Sequence, residues 1–482
     1  MKNKDFYVYP DSRKLPSTFF FVFIFSAVLL AGTASAAIPD TALLDNFLKK
    51  TVKSYRIPGL AAALVNSEGT IWMSGYGKSG LGGRITPGTP FYLGSTSKSF
   101  TALAVMRLAE TGKVELDSSV KKYLPEFRLA SAEYENSITV RHLINHTSGL
   151  SEEGMPRESF GENSFDDELA VLRLCRIIST PGTRYEYFNA NYSLLGLIIE
   201  RVSGLEFGEF LDSEIFSPLR MESTFAGPEG VADLAKGHGE FFGFPIKRKQ
   251  KYRAGALPSG YLVSSVSDIA LFLTAELRAG RGDTGVFNPG IIKATWQPPA
   301  GIQGGYAMGW MVFDDRGKTP FIGHGGSLEN YQSFFYINPE TDLGFVFLMN
   351  QGGILPIYRG FAALRNGLIR IMDNEQPEDG PGSWSVLLVV LIFLLVVALE
   401  AYLTFRLKNW KARMQQKSRW NLWTGTLLDF LISCTLLFVF RRSWYILYGL
   451  LPEFFILLLI IIIAGLVRSF VKTGIIIESA QP

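Results

Sequence analysis

Thr89-Pro90-Phe91-Tyr92-Leu93-Gly94-Ser95-Thr96-Ser97-Lys98 leads into an almost wholly apolar segment, Phe100 to Ala109. Apolar residues surround this predicted helix on every side, which indicates that the helix is buried. Ser95 precedes Lys98 by three residues, so the hydroxyl and the amine share one helical face and are close enough to exchange a proton. Burial favours the neutral form of the amine. The segment therefore predicts a serine nucleophile, Ser95, activated by Lys98.

The same Ser-x-x-Lys spacing occurs twice more, at Ser118/Lys121 and at Ser119/Lys122. Both pairs follow a helix stop at Gly112 and stand among charged residues. That pattern is typical of the solvated start of a helix. We therefore predict no catalytic role for these two pairs.

The chain begins with the features of a secretory signal peptide. Among its 482 residues, four basic residues precede the apolar run Phe19 to Ala31, and Ala34-Ser35-Ala36 follows that run. This layout predicts a signal peptide over residues 1–36, with cleavage after Ala36. An uncleaved anchor is the alternative, because the stretch before the apolar run is long. In either case, we expect the domain that follows to lie outside the cytoplasm.

A membrane domain is predicted at the other end of the chain, over residues 384–482. A hydrophilic linker, residues 373–383, marks a domain boundary before it. Three apolar stretches have roughly the length of membrane spans: Val386 to Leu399, Leu422 to Phe440 and Phe454 to Val467. The loop 405–420 is basic and has no acidic residue, so we expect it to be cytoplasmic and the domain before the linker to be extracytoplasmic. The sequence thus predicts a multi-pass protein of the cell membrane with three transmembrane helices.

The composition argues against nucleic-acid binding and against a metal centre. The net charge is only +3, and the basic loop accounts for much of the basic excess. Cys175 lies in the outer domain and Cys434 in a predicted span, so no disulfide is expected. His142 and His146 are four residues apart, but no acidic residue lies between them as the zinc-protease motif requires. We interpret both histidines as structural and predict no metal and no cofactor.

Residues 37–372 are predicted to form a single domain, because no polar linker or repeat divides them. A helix follows Asp40, and the middle of the domain, from Ser97 to about Phe242, has helical periodicity. The predicted strands are Leu60 to Val65, Thr70 to Tyr76, Phe321 to His324, Gln332 to Ile337 and Leu343 to Met349, before a final helix at Ile357 to Met372. This order predicts an α+β fold: an antiparallel sheet flanked by helices, with an inserted all-α lobe. The cleft between the two lobes would hold the substrate.

A second candidate for the site is Tyr187-Phe188-Asn189. Tyr-x-Asn also begins at Tyr134 and at Tyr336, but a polar loop and a strand account for those two occurrences. Tyr187 follows a Pro-Gly turn and precedes the apolar helix Leu194 to Ile199, so it lies where a loop enters the core. Such loops commonly carry functional side chains.

The third candidate is His324-Gly325-Gly326, at the end of a predicted strand. Two glycines there would let a ligand approach the backbone closely, and the strand edge could offer an N–H to an oxyanion. Lys472-Thr473-Gly474 matches a known motif of penicillin-interacting enzymes more literally, but it follows the last predicted span and has no sheet around it. We therefore interpret that match as a coincidence.

The three elements, in this order, resemble those of the class C β-lactamase-related serine hydrolases. That family includes penicillin-binding proteins, D-alanyl-D-alanine carboxypeptidases, D-aminopeptidases and esterases. The stretches Ile138 to Leu150 and Tyr306 to Trp310 also resemble family segments. The resemblance covers nearly all of Ile38 to Met372 and none of the membrane tail.

The resemblance implies a role for each motif residue. Ser95 would be the acylated nucleophile, Lys98 its proton partner and Tyr187 the acid/base that protonates the leaving group. The implied substrate-binding residues are Asn189, His324, Gly326 and Ser327, with the backbone N–H groups of Ser95 and Ser327 forming the oxyanion hole.

The chain departs from the family pattern at two places. His324 replaces a lysine of many β-lactamases, and Gly260-Tyr261 stands where relatives often have two glycines. With an ordinary pKa, His324 would be mostly neutral near pH 7 and would bind substrate carboxylates better as the pH falls towards about 6. We therefore expect penicillins to be poor substrates.

The sequence thus predicts a membrane-anchored extracytoplasmic serine hydrolase that forms an acyl-enzyme with D-amino-acid peptides. The partners would be a small-molecule or peptide substrate, such as a cell-wall peptide, and membrane lipid. An esterase of the same family is one alternative. Another is a non-catalytic acylated receptor that signals through the membrane spans, which the intramembrane Asp429 keeps open. We interpret Asp429 as lying near the cytoplasmic end of its helix, within reach of Arg419 or water.

Overall fold

The computed structural model describes residues 38–155, 164–313, 320–353, 357–378, 384–409, 419–440 and 452–478. The predicted signal peptide, residues 1–36, lies outside the described residues. The same is true of residues 379–383 of the predicted linker and of residues 410–418 of the basic loop.

A seven-stranded antiparallel sheet forms the centre of the fold. Its strands are β1 (Gly59–Asn66), β2 (Gly69–Gly77), β7 (Tyr306–Ala307), β8 (Trp310–Phe313), β9 (Phe321–Ser327), β10 (Gln332–Asn338) and β11 (Leu343–Met349). They run in the order β2-β1-β11-β10-β9-β8-β7. Two short pairs lie outside this sheet: β3 (Phe91–Tyr92) with β6 (Val263–Ser264), and β4 (His238–Phe241) with β5 (Phe244–Lys247).

Both faces of the sheet are covered, and the alternation of side chains along a strand decides which face each residue joins. In β1, Ala61 and Ala63 pack into the larger core, while Leu60 and Leu64 pack into a second core on the opposite face. A strand that is buried on both faces is continuously apolar, as Leu60 to Val65 is.

The first and last helices of the domain cover one face, and the remaining helices build the lobe on the other. The first group is α1 (Thr41–Ser54) and α12 (Ala362–Met372). The second group is α2 (Ser97–Glu110), α3 (Val120–Tyr123), α4 (Val140–Ile144), α5 (Phe165–Leu172), α6 (Ala190–Ser203), α7 (Phe207–Leu211), α8 (Ser217–Leu219), α9 (Leu257–Gly260), α10 (Val266–Gly280) and α11 (Pro289–Thr295). The predicted α+β fold with an inserted helical lobe is therefore confirmed.

The structure corrects three details of the predicted elements. β9 continues to Ser327, so Gly325 and Gly326 lie inside the strand rather than after it. The last helix of the domain begins at Ala362, after a π-helical turn from Ile357 to Phe361. β7 and β8 were not predicted, because strands of two and four residues carry almost no period-two signal.

The described part of the tail contains three apolar helices: α13 (Trp384–Phe405), α14 (Arg419–Phe440) and α15 (Pro452–Glu478). Among the described residues, only the stretch Phe454–Ile477 of α15 is long and apolar enough to cross a membrane. The apolar stretches of the other two helices, Val390–Phe405 and Thr426–Phe438, are shorter. Three membrane spans therefore remain a prediction.

Charged side chains connect the three tail helices. Arg468 of α15 forms ion pairs with Glu400 of α13 and with Asp429 of α14, at 3.5 Å for the latter. Lys472 of α15 also lies 2.6 Å from Asp429. The sequence interpretation, which placed Asp429 within reach of Arg419 or water, did not identify these partners. Because α15 extends eleven residues beyond the predicted end of its span, Val467, the Lys472-Thr473-Gly474 motif is helical.

Candidate active site

Ser95 lies in a tight helical turn, Gly94–Thr96, that leads directly into α2. Gly94 has a φ of 59°, in the region that favours glycine. A Cβ at Gly94 would lie 2.7 Å from the backbone nitrogen of Ser327 in β9. Only a residue without a side chain thus lets the nucleophile's turn approach this strand so closely.

Lys98 is fully buried one helical turn after Ser95. Its Nζ atom lies 3.3 Å from Ser95 Oγ, 2.8 Å from Asn189 Oδ1 and 2.6 Å from the backbone oxygen of Ser259. These partners come from three elements: the turn before α2, the start of α6 and the helix α9. The tertiary fold thereby fixes the amine beside the nucleophile.

Burial holds the pKa of Lys98 well below the ordinary value of a lysine. A neutral amine has two N–H groups and one lone pair. The amide oxygen of Asn189 and the carbonyl oxygen of Ser259 can accept hydrogen bonds but cannot donate them. They are therefore the partners of the two N–H groups. The lone pair is then left for the hydroxyl proton of Ser95. This arrangement suits Lys98 to act as a general base.

Tyr187 lies on the other side of the same amine. Its ring centroid is 4.9 Å from Lys98 Nζ, and its hydroxyl is hydrogen-bonded to Ser95. Desolvation raises the pKa of Tyr187, and the hydrogen bond to Ser95 opposes that shift. The tyrosine is therefore protonated at neutral pH, while 36% of its surface remains exposed. It can donate a proton at the point where a leaving group would depart.

His146 holds the Tyr187 loop in place. Its Nδ1 accepts a hydrogen bond from the N–H of Phe188 at 3.2 Å, and its carbonyl accepts one from the N–H of Glu186 at 2.8 Å. The imidazole also packs on the Tyr187 ring, with centroids 4.4 Å apart. The sequence interpretation had this residue as structural and did not connect it to the site, because the two segments are about forty residues apart. His142 instead caps α4, where its Nδ1 accepts the N–H of Thr139.

β9 forms the opposite wall of the site. A Cβ at Gly326 would overlap the Leu93 carbonyl oxygen and the Ser333 hydroxyl, and would lie 3.1 Å from the Ser95 backbone nitrogen. Ser327, the next residue, is exposed. The backbones of Ser95 and Ser327 therefore lie close together, as an oxyanion hole formed by their N–H groups would require.

His324 differs from the sequence-based expectation. Its side chain is only 3% exposed, its Nδ1 donates to the Gly325 carbonyl at 2.8 Å, and its ring packs edge-on to Tyr306. Burial, assisted by the nearby Lys98, lowers the pKa of His324 to about 3. The assumption of an ordinary pKa was therefore wrong, because residues distant in sequence exclude water from this ring. No gain in carboxylate binding towards pH 6 is expected from it.

The lowered pKa of His324 predicts an effect on stability instead. Below about pH 6.5 the unfolded chain takes up a proton at His324 that the folded domain excludes. The free energy of unfolding therefore decreases as the pH is lowered from about 6.5 to about 3. Each pH unit in this interval should remove up to about 1.4 kcal/mol from the free energy of unfolding. In thermal unfolding at pH 7.5 and 5, His324→Gln should lose less stability on acidification than the unmodified chain. Equal losses would contradict the burial argument.

Comparisons with known proteins identify the family of this chain. The family model described as Beta-lactamase matches residues 44–359. Protein flp of Staphylococcus aureus (strain COL) is 25% identical over 316 residues, which cover 64% of this chain and 62% of that protein. The chain thus matches less than two thirds of the length of this relative.

The solved structures that share the fold include a penicillin-binding protein homologue and a hydrolase. The octameric penicillin-binding protein homologue from Pyrococcus abyssi has a TM-score of 0.60 and 27% identity, over 70% of this chain and 79% of that chain. EstCE1, described as a hydrolase with promiscuous acyltransferase activity, has a TM-score of 0.56 and 20% identity, over 65% and 93%. The latter likeness shows the fold alone. Since the family model covers more than half of the chain and every residue of the candidate site, the chain belongs to the Beta-lactamase family.

Proposed function

We propose that this chain is a membrane-anchored extracytoplasmic hydrolase that cleaves peptides containing D-amino acids through an acyl-enzyme. The observation that carries the proposal is the buried Lys98 amine, which lies within 3.3 Å of Ser95 Oγ. Its remaining polar contacts are acceptors. An acylated receptor needs no such base for turnover, so the intact Lys98 and Tyr187 favour an enzyme.

In the proposed acylation step, the neutral amine of Lys98 takes the hydroxyl proton of Ser95. The Oγ atom then bonds to the substrate carbonyl carbon, and the N–H groups of Ser95 and Ser327 stabilise the oxyanion. Tyr187 protonates the leaving amine as the C–N bond breaks, and the proton on Lys98 restores the tyrosine. Water then adds to the acyl ester, returns a proton to Ser95 Oγ and releases the carboxylic acid. Asn189 would hold the substrate amide at the exposed edge of the site.

The substrate class rests on the walls of the site. His324 is neutral above about pH 3, so its position supplies no permanent cation for the carboxylate of a β-lactam. Similarity to a penicillin-binding protein homologue supports a D-amino-acid peptide as the substrate. The same uncharged wall would also accept a carboxylic ester, which is therefore the second candidate.

Turnover of three substrates by the full chain tests this proposal. We expect kcat/KM for an acyl-D-alanyl-D-alanine amide, which has no free carboxylate, or for a small activated ester, to exceed that for benzylpenicillin. Intact-mass spectrometry should show one acyl adduct per chain with each substrate, and the penicillin adduct should form most slowly. Rapid hydrolysis of benzylpenicillin, above the rates for peptide and ester, would contradict the proposed substrate class. A peptide rate below the ester rate would favour the esterase.

The proposed membrane attachment is supported by α15 and by the ion pairs that join it to α13 and α14. Charged groups inside a bilayer are stable only when they are paired, as Arg468 is with Glu400 and Asp429. We expect a reporter fused near Gln415 to be active only in the cytoplasm. Protease added outside intact cells should digest residues 38–372. Protection of that domain would reverse the proposed orientation.

A further inference from the structure

The hairpin formed by β4 and β5 presents apolar side chains to solvent. Its tip reads Phe241-Phe242-Gly243-Phe244-Pro245-Ile246. Phe242 and Gly243 have φ values of 48° and 76°, which gives the tight turn that joins two antiparallel strands. Phe244 is 58% exposed and Ile246 is 40% exposed. Adjacent exposed apolar side chains of this size mark an interaction surface.

A strongly basic segment follows the hairpin without interruption. Residues 247–253 read Lys-Arg-Lys-Gln-Lys-Tyr-Arg, and the only acidic residue between His238 and Arg253 is Glu240. Lys247, Lys249 and Lys251 are exposed. A further cation, the guanidinium of Arg56, lies 4.4 Å above the Phe244 ring. Positive charge thus flanks the apolar tip.

The hairpin also contacts the tail. The rings of Phe242 and Phe393, a residue of α13, lie edge to face with centroids 4.9 Å apart. Phe393 follows Val386, where the apolar stretch of α13 begins, by seven residues. At a rise of about 1.5 Å per residue, the contact lies about 10 Å along the apolar part of this helix. That distance matches the depth, about 5–10 Å, to which interfacial protein segments enter a bilayer.

We propose that the β4–β5 hairpin is a second membrane contact of the catalytic domain. Its apolar tip enters the outer leaflet, while Lys247 and the lysines after β5 bind anionic phospholipid headgroups. The proposal rests on the membrane attachment proposed above, since α13 provides the reference depth. Apolar side chains flanked by cations are the combination that binds to a bilayer with anionic headgroups. A protein partner would not account for the contact between the hairpin and α13.

The same basic segment lines a cavity together with Tyr92, which ends the strand before the turn that carries Ser95. The cavity has a volume of about 550 Å³, and its walls include Tyr92, Lys236, Arg248, Lys249 and Lys251. Tyr92 precedes Ser95 by three residues. Docking of the hairpin therefore brings lipid headgroups next to a cationic cavity that adjoins the segment carrying Ser95. The docked hairpin would hold the catalytic domain against the membrane, whereas the linker alone would let the domain move away from it.

The test uses the full chain in lipid nanodiscs that contain anionic phospholipid. An environment-sensitive fluorophore is attached to Phe244→Cys in a Cys434→Ser background, where the remaining Cys175 is buried. Leu205→Cys, at a position that is 41% exposed after α6, is the matched control. We expect nitroxides placed just below the headgroups to quench the label at position 244 and not at position 205.

Charge reversal distinguishes headgroup binding from simple proximity. Lys247→Glu with Lys249→Glu should lower the ratio of docked to undocked hairpin by roughly tenfold or more. Lys113→Glu with Lys293→Glu, two exposed lysines elsewhere, makes the same change in net charge and should leave quenching unaltered. Covalent labelling of Ser95 by a fluorescent inhibitor checks that each variant folds.

An unquenched label at position 244 in chains that have entered the nanodiscs would overturn this proposal alone. Quenching that is equal in zwitterionic discs, or unchanged by the charge reversal, would overturn the headgroup contact. Failure of the full chain to enter nanodiscs at all would overturn the membrane attachment, and this proposal with it.

Discussion

Replacing Ser95 with alanine should abolish covalent labelling by an acylating inhibitor and reduce hydrolysis by about 10⁴-fold or more. The substitution removes the only atom that can form the acyl ester, while the turn and the buried helix α2 stay intact. Intact-mass spectrometry with a fluorescent penicillin measures the adduct, and thermal unfolding checks the fold.

The chain supplies matched controls for this experiment. Ser118→Ala and Ser119→Ala remove hydroxyls at the same spacing from a lysine. These serines lie at the start of α3, and their hydroxyls bond to residues within four positions along the chain. Both variants should label like the unmodified chain. Label that persists on Ser118 or Ser119 after Ser95→Ala would contradict the assignment of the nucleophile.

Replacing Lys98 with alanine should slow acylation by about 10²- to 10⁴-fold, the range typical of a lost general base. Lys98→Arg should not restore the rate, because a guanidinium keeps its proton at every accessible pH. Lys121→Ala and Lys122→Ala are the matched controls, because Lys121 forms an ion pair with Glu135 and Lys122 forms one with Glu115. Stopped-flow labelling measures all four variants.

The pH profile identifies the role of Lys98 independently. A base works when unprotonated, so the acylation rate should rise with pH through the pKa of Lys98 and then reach a plateau. Because burial lowers that pKa, the plateau should begin well below the ordinary lysine value of 10.5. Tyr187→Phe should be slower at every pH but keep this acidic limb. In Lys98→Ala, this rise of the acylation rate with pH should disappear. A rise that persists in Lys98→Ala would show that another group is the base.

Local sequence was enough to predict the helical start of the site and most strands of the sheet. The spacing of Ser95 and Lys98 fixes both side chains on one turn, whatever surrounds them. The apolar character of the segments that became β1, β10 and β11 likewise depends only on neighbours along the chain. The Tyr187 and His324 segments were identified from turn residues and from the family resemblance.

What lies close in space but far apart in sequence could not be read in this way. The spacing of Ser95 and Lys98 predicts a nucleophile and a base. The hydrogen-bond acceptors that orient the amine, however, come from Asn189 and Ser259, in two other elements. From the sequence, His324 was expected to have an ordinary pKa. In the structure, burial beside Tyr306 and Lys98 lowers this pKa. Periodicity and spacing are properties of neighbours along the chain, whereas hydration and partner geometry depend on which distant segments the fold packs together. The chemistry of the site was therefore determined by the sequence, and the protonation state of its groups by the tertiary structure.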